Sequence, residues 1–137
     1  MTTANDILKN VPKLIDSDFT TCGSLPNKTG VYPVLFYTST CRFCRDFVPE
    51  FIKLSSHCSR RGGSAYAVNM EYGNNKTLAD RSTKFPFDLA GYPTIVLYYN
   101  ESPCSLYLGP RTVEKIIYEM NMKMTRQQCT LPIKTCM

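Results

Sequence analysis

The sequence VYPVLFYTSTCRFC, at residues 31–44, is the stretch that decides the fold. Val34–Tyr37 is apolar on both faces, which is typical of a central strand covered by helices on each side. Thr38–Thr40 then gives a helix-start signal, and apolar residues at helical spacing follow it. The stretch therefore predicts a buried strand that leads directly into a helix, with Cys41 and Cys44 in the first turn of that helix.

Strand and helix patterns alternate along the rest of the chain. Loop signals mark residues 21–30, and the tail at 125–137 is expected to be loosely held. The order of elements predicts an α/β fold with a mixed central sheet of four to five strands, flanked by helices on both faces. Periodicity and turn residues predict strands at 31–38, 65–70, 94–99 and 104–108, a short strand at 13–15, and helices at 4–11, 41–58, about 74–85 and 111–124.

Length and composition describe a single globular domain over residues 1–137. The chain is 43% apolar and 20% charged, which excludes intrinsic disorder. Its longest apolar runs, Val34–Tyr37 and Thr94–Tyr99, are far shorter than the roughly 20 residues of a membrane span. The 16 basic residues, set against 11 acidic ones, are scattered rather than arranged in a stripe. We therefore expect neither a membrane protein nor a nucleic-acid binder.

Cys41 and Cys44 form the one CxxC pair in the chain. Spacing alone is weak evidence, because seven cysteines in a chain of this length give about 0.3 such pairs by chance. Position is stronger evidence: the start of a helix lowers a cysteine pKa into a range of roughly 3.5–7.5, and Arg42 and Arg45 add positive charge. We expect Cys41 to be the exposed nucleophile and Cys44, one turn further in, to be the buried resolving thiol.

Three other interpretations of the pair stay open but are less favoured. A zinc site needs about four ligands, and His57 and Cys58 lie about four turns further along the helix, too far to complete one. A purely structural disulfide within one helical turn is unusual. An inert pair of buried cysteines is also disfavoured, because Arg42 and Arg45 indicate that this end of the helix is exposed. We therefore expect no metal and no cofactor.

Four separate motifs resemble, in order, those of the thioredoxin superfamily and, more narrowly, the catalytic domains of protein disulfide isomerases. The resemblance covers about residues 31–124 and leaves 1–12 and 125–137 as terminal extensions. The motifs are Val34–Tyr37 leading into Cys41–Cys44, then Pro49, then Gly91–Thr94, and last Tyr107–Thr112.

The resemblance implies a thioredoxin-like fold and a thiol–disulfide oxidoreductase that acts on protein substrates through the Cys-Arg-Phe-Cys pair. A thiol oxidase or reductase is implied as a further partner, and a monomer or weak dimer is expected. In this family the proline that matches Pro93 is cis and lies against the cysteines, where the backbone of Tyr92 is available to an extended substrate. Thr40, Arg42 and Phe43 are the other expected substrate-binding residues.

The sequence departs from the family pattern at the redox pair itself. Leu35 stands where the family usually has a buried acid that transfers protons to and from the resolving thiol. Thr40 replaces the usual tryptophan, and Arg42-Phe43 is not the usual dipeptide. Leu35 and Thr40 favour an alternative function, a redox-inactive module that binds extended protein segments.

The other five cysteines carry no motif. Cys58 and Cys104 are most simply small core residues. Cys22, Cys129 and Cys136 fall in loops or the tail, where a second disulfide or an intermolecular link is open. Because the total is odd, at least one thiol outside the pair is expected to be free or bonded to another chain.

Targeting signals favour the cytoplasm or a particle assembled there, because neither a signal peptide nor a retention tetrapeptide is seen. Three glycosylation triplets, at Asn27, Asn75 and Asn100, are a mild hint of the alternative, the endoplasmic reticulum or secretion.

Overall fold

A four-stranded mixed sheet forms the centre of the computed structural model, which describes residues 3–123 and 125–132. Its strand order is β2-β1-β3-β4, with β1 parallel to β2 and antiparallel to β3, and with β3 antiparallel to β4. The predicted fold class is confirmed, with four strands. The strands are β1 (Val31–Tyr37), β2 (Tyr66–Asn69), β3 (Thr94–Tyr99) and β4 (Ser102–Leu106). The predicted strand at 13–15 is only a single bridge between Lys13 and Ala67.

In the described part of the chain, four α-helices and five short 3₁₀ segments surround the sheet. They are α1 (Ala4–Ile7), α2 (Arg42–Arg60), α3 (Leu78–Arg81) and α4 (Val113–Met122), with 3₁₀ turns at Leu8–Asn10, Asp16–Asp18, Gly73–Thr77, Ser82–Lys84 and Arg126–Gln128. Within the described residues, no helix combines the length and the apolar character needed to cross a bilayer.

Strand β1 is buried on both faces, as its apolar sequence predicts. Because successive side chains point to opposite faces, Leu35 and Tyr37 pack into a core with α1, α2 and α4. Val34 and Phe36 pack into a second core under α3 and its neighbouring turns. The carboxyl end of β1, and the cysteines that follow it, therefore start from a strand fixed on both sides.

Helix α2 lies against the sheet with one apolar face. Phe47, Val48, Phe51 and Leu54 are buried there, and each fully buried aromatic or leucine side chain stabilises the fold by about 2–3 kcal/mol. The helix ends where Gly62 adopts φ +79, a left-handed conformation that glycine tolerates.

The prediction of one continuous helix from about 74 to 85 is wrong, because only Leu78–Arg81 is α-helical. Asn75 is buried in the preceding 3₁₀ turn, where its side-chain oxygen accepts the N–H of Asp16 at 2.8 Å and its nitrogen donates to the Asn69 carbonyl at 3.0 Å. These side-chain bonds fix a turn where helical periodicity alone predicts a regular helix.

The segment 125–132 is bound to the sheet, so the prediction of a loose tail is wrong for these residues. A disulfide joins Cys104 in β4 to Cys129, and the N–H groups of Thr130 and Leu131 both donate to the Cys104 carbonyl. The prediction that Cys104 is a plain core thiol is therefore also wrong.

The remaining cysteines divide between bonded and free states. Cys22 is also disulfide-bonded, whereas Cys41, Cys44 and Cys58 are free thiols. Cys58 is buried, as expected, and is a free thiol outside the pair. Residues 133–137, and with them the open question about Cys136, lie outside the described residues.

Candidate active site

The Cys41–Cys44 pair lies where the chain leaves β1 and enters α2. Thr38–Thr40 forms the connection, and Cys41 is the N-cap residue of the helix. Cys44 lies in the first helical turn with its side chain fully buried, whereas Cys41 is half-buried. The exposure difference expected between the two thiols is thus present.

Hydrogen bonds hold the Cys41 sulfur at the helix start. Its Sγ accepts the N–H of Cys44 at 3.4 Å, and its thiol donates to the Tyr92 carbonyl at 3.6 Å. Burial acts to raise the pKa of Cys41. Hydrogen bonds from the Cys44 thiol, from the N–H groups of Cys44 and Phe43, and from the Thr38 hydroxyl outweigh it and lower the pKa below its ordinary value. Cys41 is the thiol more readily ionised at neutral pH.

Cys44 has the opposite character. Burial, followed by its hydrogen bond to Cys41, raises the pKa of Cys44 to about 12, while the charge of Arg111 acts to lower it. Leu35, at the position where the family usually has an acid, is fully buried in the same core as Cys44. Proton release from Cys44 therefore has no carboxylate at that position to receive the proton.

The loop that carries Pro93 lies next to the pair. The Tyr92–Pro93 peptide bond is cis, and Tyr92 packs against both cores. Burial, with a smaller effect from Cys44, raises the pKa of Tyr92. A cavity of about 430 Å³ opens beside this loop and is lined in part by Pro93, Leu108 and Arg111.

The other expected site residues lie on the surface around Cys41. Thr40 is exposed, and the Phe43 ring is 63% exposed. The side chain of Arg42 is 81% exposed and pairs with Asp46 at 4.0 Å. The lowered pKa of Cys41 is therefore caused mainly by hydrogen bonds and not, as the sequence suggested, by arginine charge. The structure therefore brings Cys41, Cys44 and Tyr92 into contact and places Thr40, Arg42 and Phe43 at the rim.

Two residues of the site were not predicted as members of it. The hydroxyl of Thr38 acts to lower the pKa of Cys41, and its backbone acts to lower the pKa of Cys44. The positive charge of Arg111 also acts to lower the pKa of Cys44. The sequence signals were the position of Thr38 in the helix-start segment and of Arg111 in the last of the four motifs. Within the described residues, no group of three or more His, Cys, Asp or Glu side chains is arranged to hold a metal ion.

Comparison with known proteins identifies related sequences. The family model described as thioredoxin matches residues 10–122. Bloodstream-specific protein 2 of Trypanosoma brucei brucei is 30% identical over 90 residues, which cover 66% of this chain and 16% of that protein. Protein disulfide-isomerase A3 of Gallus gallus is 25% identical over 108 residues, which cover 79% of this chain and 19% of that protein. The chain thus spans less than a fifth of the length of these two relatives.

A solved structure gives the same result for the fold. The zinc-bound form of human ERp44 superposes with a TM-score of 0.63 at 19% identity, over 84% of this chain and 30% of that one. Relatives and the Cys41–Cys44 pair together support thiol–disulfide oxidoreductase chemistry in general. The matched model, which covers more than half of the residues, shows that the chain belongs to the thioredoxin family.

Proposed function

We propose that this domain exchanges disulfides with protein substrates, with Cys41 as the nucleophile and Cys44 as the resolving thiol. One observation carries the proposal. Cys41 is the half-buried N-cap of α2 with a lowered pKa, and Cys44 beside it is fully buried with a raised pKa. This asymmetry separates a thiol that attacks from a thiol that resolves.

The exchange follows from the two sulfurs. The Cys41 thiolate attacks one sulfur of a substrate disulfide, a mixed disulfide forms, and the other substrate sulfur leaves as a thiolate. Cys44 then loses its proton and attacks the Cys41 sulfur, which closes the Cys41–Cys44 disulfide and releases the second substrate thiolate. Two electrons pass from the pair to the substrate, and the reverse sequence oxidises a substrate dithiol.

The surface around Cys41 suits an extended polypeptide. In the proposal, the backbone of Tyr92 beside Pro93 pairs with the substrate strand, and Thr40, Arg42 and Phe43 contact its side chains. Support comes from the Cys41–Tyr92 contact at 3.6 Å and from the exposed Phe43 ring.

An oxidising compartment fits the structure better than the cytoplasm. Disulfides persist mainly in secreted proteins and the endoplasmic reticulum, and this chain carries the Cys104–Cys129 disulfide and a bonded Cys22. We therefore favour the alternative location named above, which the protein disulfide-isomerase relatives also fit. Protein thiols and disulfides, with a thiol oxidase or reductase that resets the pair, are the proposed partners.

A second candidate function is a redox-inactive module that binds extended protein segments. Leu35 favours it, because the absence of an acid at this position slows the resolving step, and the exposed Phe43 ring gives such a module a contact surface.

The deciding experiment compares insulin reduction and the refolding of a scrambled protein substrate in the unaltered chain and in three variants. Cys41→Ser is expected to abolish both activities. Cys44→Ser is expected to accumulate mixed disulfides with substrate, which mass spectrometry detects. Cys58→Ser is the matched control, because it removes a free buried thiol far along α2. If the unaltered chain and Cys41→Ser behave alike in both assays, the oxidoreductase proposal is wrong and the binding module remains.

A further inference from the structure

Glu71 contacts the turn that leads into the redox pair, although it lies 32 residues from that turn in the sequence. Its Oε1 accepts two hydrogen bonds from Ser39, one from the backbone N–H at 2.6 Å and one from the hydroxyl at 3.0 Å. Hydrogen bonds to a carboxylate are about twice as strong as bonds between neutral groups. Glu71 thus makes a two-point contact with one residue of the active-site connection.

The position of Glu71 is itself fixed by the fold. It follows β2, whose carboxyl end lies beside the carboxyl end of the parallel strand β1. The N–H of Met70 donates to the Tyr37 carbonyl at 2.9 Å, and the N–H of Glu71 donates to the Asn69 side chain at 3.0 Å. The backbone that carries Glu71 is therefore held by the sheet and by a local turn.

Ser39 lies two residues before Cys41 and next to Thr38, which contacts Cys41. Ser39 is also held at its carbonyl, which accepts the N–H of Ala4 at 3.4 Å. On one side of it, Thr38 accepts the N–H of Cys41 at 3.4 Å and gives its hydroxyl to the Cys41 sulfur. A shift of Ser39 therefore moves the groups that hold the Cys41 sulfur at the helix start.

We infer that Glu71 is a positioning residue for the redox pair: through Ser39 it holds Thr38 and Cys41 in the geometry that stabilises the Cys41 thiolate. The inference rests on the proposed function, since it assigns Glu71 a role in the reactivity of the same nucleophile.

A purely electrostatic role for Glu71 has the opposite sign. A negative carboxylate near a thiolate disfavours ionisation, so removal of its charge alone would lower the pKa of Cys41 and speed its reaction. Loss of positioning weakens the hydrogen bonds to the sulfur and raises the pKa. The direction of the change therefore separates the two roles.

The test is the pH dependence of Cys41 alkylation by iodoacetamide, followed by mass spectrometry of the Cys41 peptide. Glu71→Ala is expected to move the profile to higher pH and to slow alkylation about threefold near neutral pH, comparable to a weakened helix cap. Glu71→Gln keeps an oxygen for Ser39 without the charge, so its profile is expected to return to the original pH or to lie slightly below it. Glu101→Ala is the matched control, because that carboxylate also accepts a backbone N–H, from Asn27 at 2.9 Å, in a turn away from the site.

Two results overturn the inference. One is an unchanged profile in Glu71→Ala, and the other is faster alkylation in both Glu71 variants, which assigns the residue a charge effect only. Circular dichroism of each variant checks that it folds, and rescue by Glu71→Gln separates positioning from general destabilisation. Alkylation needs no substrate turnover. The alkylation test can therefore contradict the role of Glu71 while the insulin and refolding assays support the proposed function, and the reverse also holds.

Discussion

The raised pKa of Cys44 predicts that the two steps of disulfide exchange respond differently to pH. A thiol with a pKa of about 12 is ionised in about one molecule in 10⁵ at neutral pH, against about one in 30 for an ordinary cysteine. In the mixed disulfide Cys41 no longer raises the pKa of Cys44, but burial, the largest cause, remains. Cys44 therefore stays mostly protonated, and the rate of the resolving step is expected to rise about tenfold per pH unit between about pH 7 and pH 9.

An aromatic disulfide such as 5,5′-dithiobis(2-nitrobenzoate) resolves the two steps in one stopped-flow trace. Attack by Cys41 releases the first coloured thiolate, and closure by Cys44 releases the second. Because the pKa of Cys41 is lowered, the first phase is expected to level off at a lower pH than for an ordinary cysteine. The second phase is expected to keep rising across the same range.

The control variant Cys44→Ser is expected to give the first phase alone. A second phase that does not change with pH, or that follows the pH profile of the first, would refute the reasoning. Either outcome means that another group accepts the Cys44 proton in spite of the buried Leu35.

Two further predictions concern a hydroxyl at the candidate site and the disulfide that holds the C-terminal segment. Thr38→Val removes the hydroxyl that donates to Cys41 and is expected to raise the pKa of Cys41, so an alkylation profile that does not move to higher pH contradicts this contact. Cys129→Ala breaks the disulfide to Cys104, which closes a loop with a sequence separation of 25, and is expected to cost about 3 kcal/mol in urea unfolding. An unchanged unfolding midpoint there means that the disulfide adds no stability.

The sequence predicts those parts of the fold in which local pattern and packing agree. The apolar run in β1 and the helical spacing in α2 each match one periodicity, and the structure has both elements. The segment at 74–85 was missed because Asn75 and Ser82 are buried polar residues whose hydrogen bonds determine the local turns. Periodicity does not register such bonds.

The contacts of the candidate site were harder to predict than the position of its two cysteines. Cys41 and Cys44 are identified by their place after β1, which is local information. Arg111 and Glu71 reach the site from distant loops, so their roles depend on the tertiary structure. The Cys104–Cys129 pairing was missed for the same reason, since cysteine spacing alone does not determine connectivity.

The effect of Leu35 on the resolving step bears on both candidate functions. The Leu35 side chain lies in the same core as Cys44, where the family usually has a carboxylate, and we therefore expect the Cys44 proton to leave by a slower route. A slow resolving step leaves attack by Cys41 intact but prolongs the mixed disulfide. The lifetime of that intermediate then decides whether the domain mainly exchanges disulfides or mainly retains its protein partners, and the same pH-dependent second phase measures it.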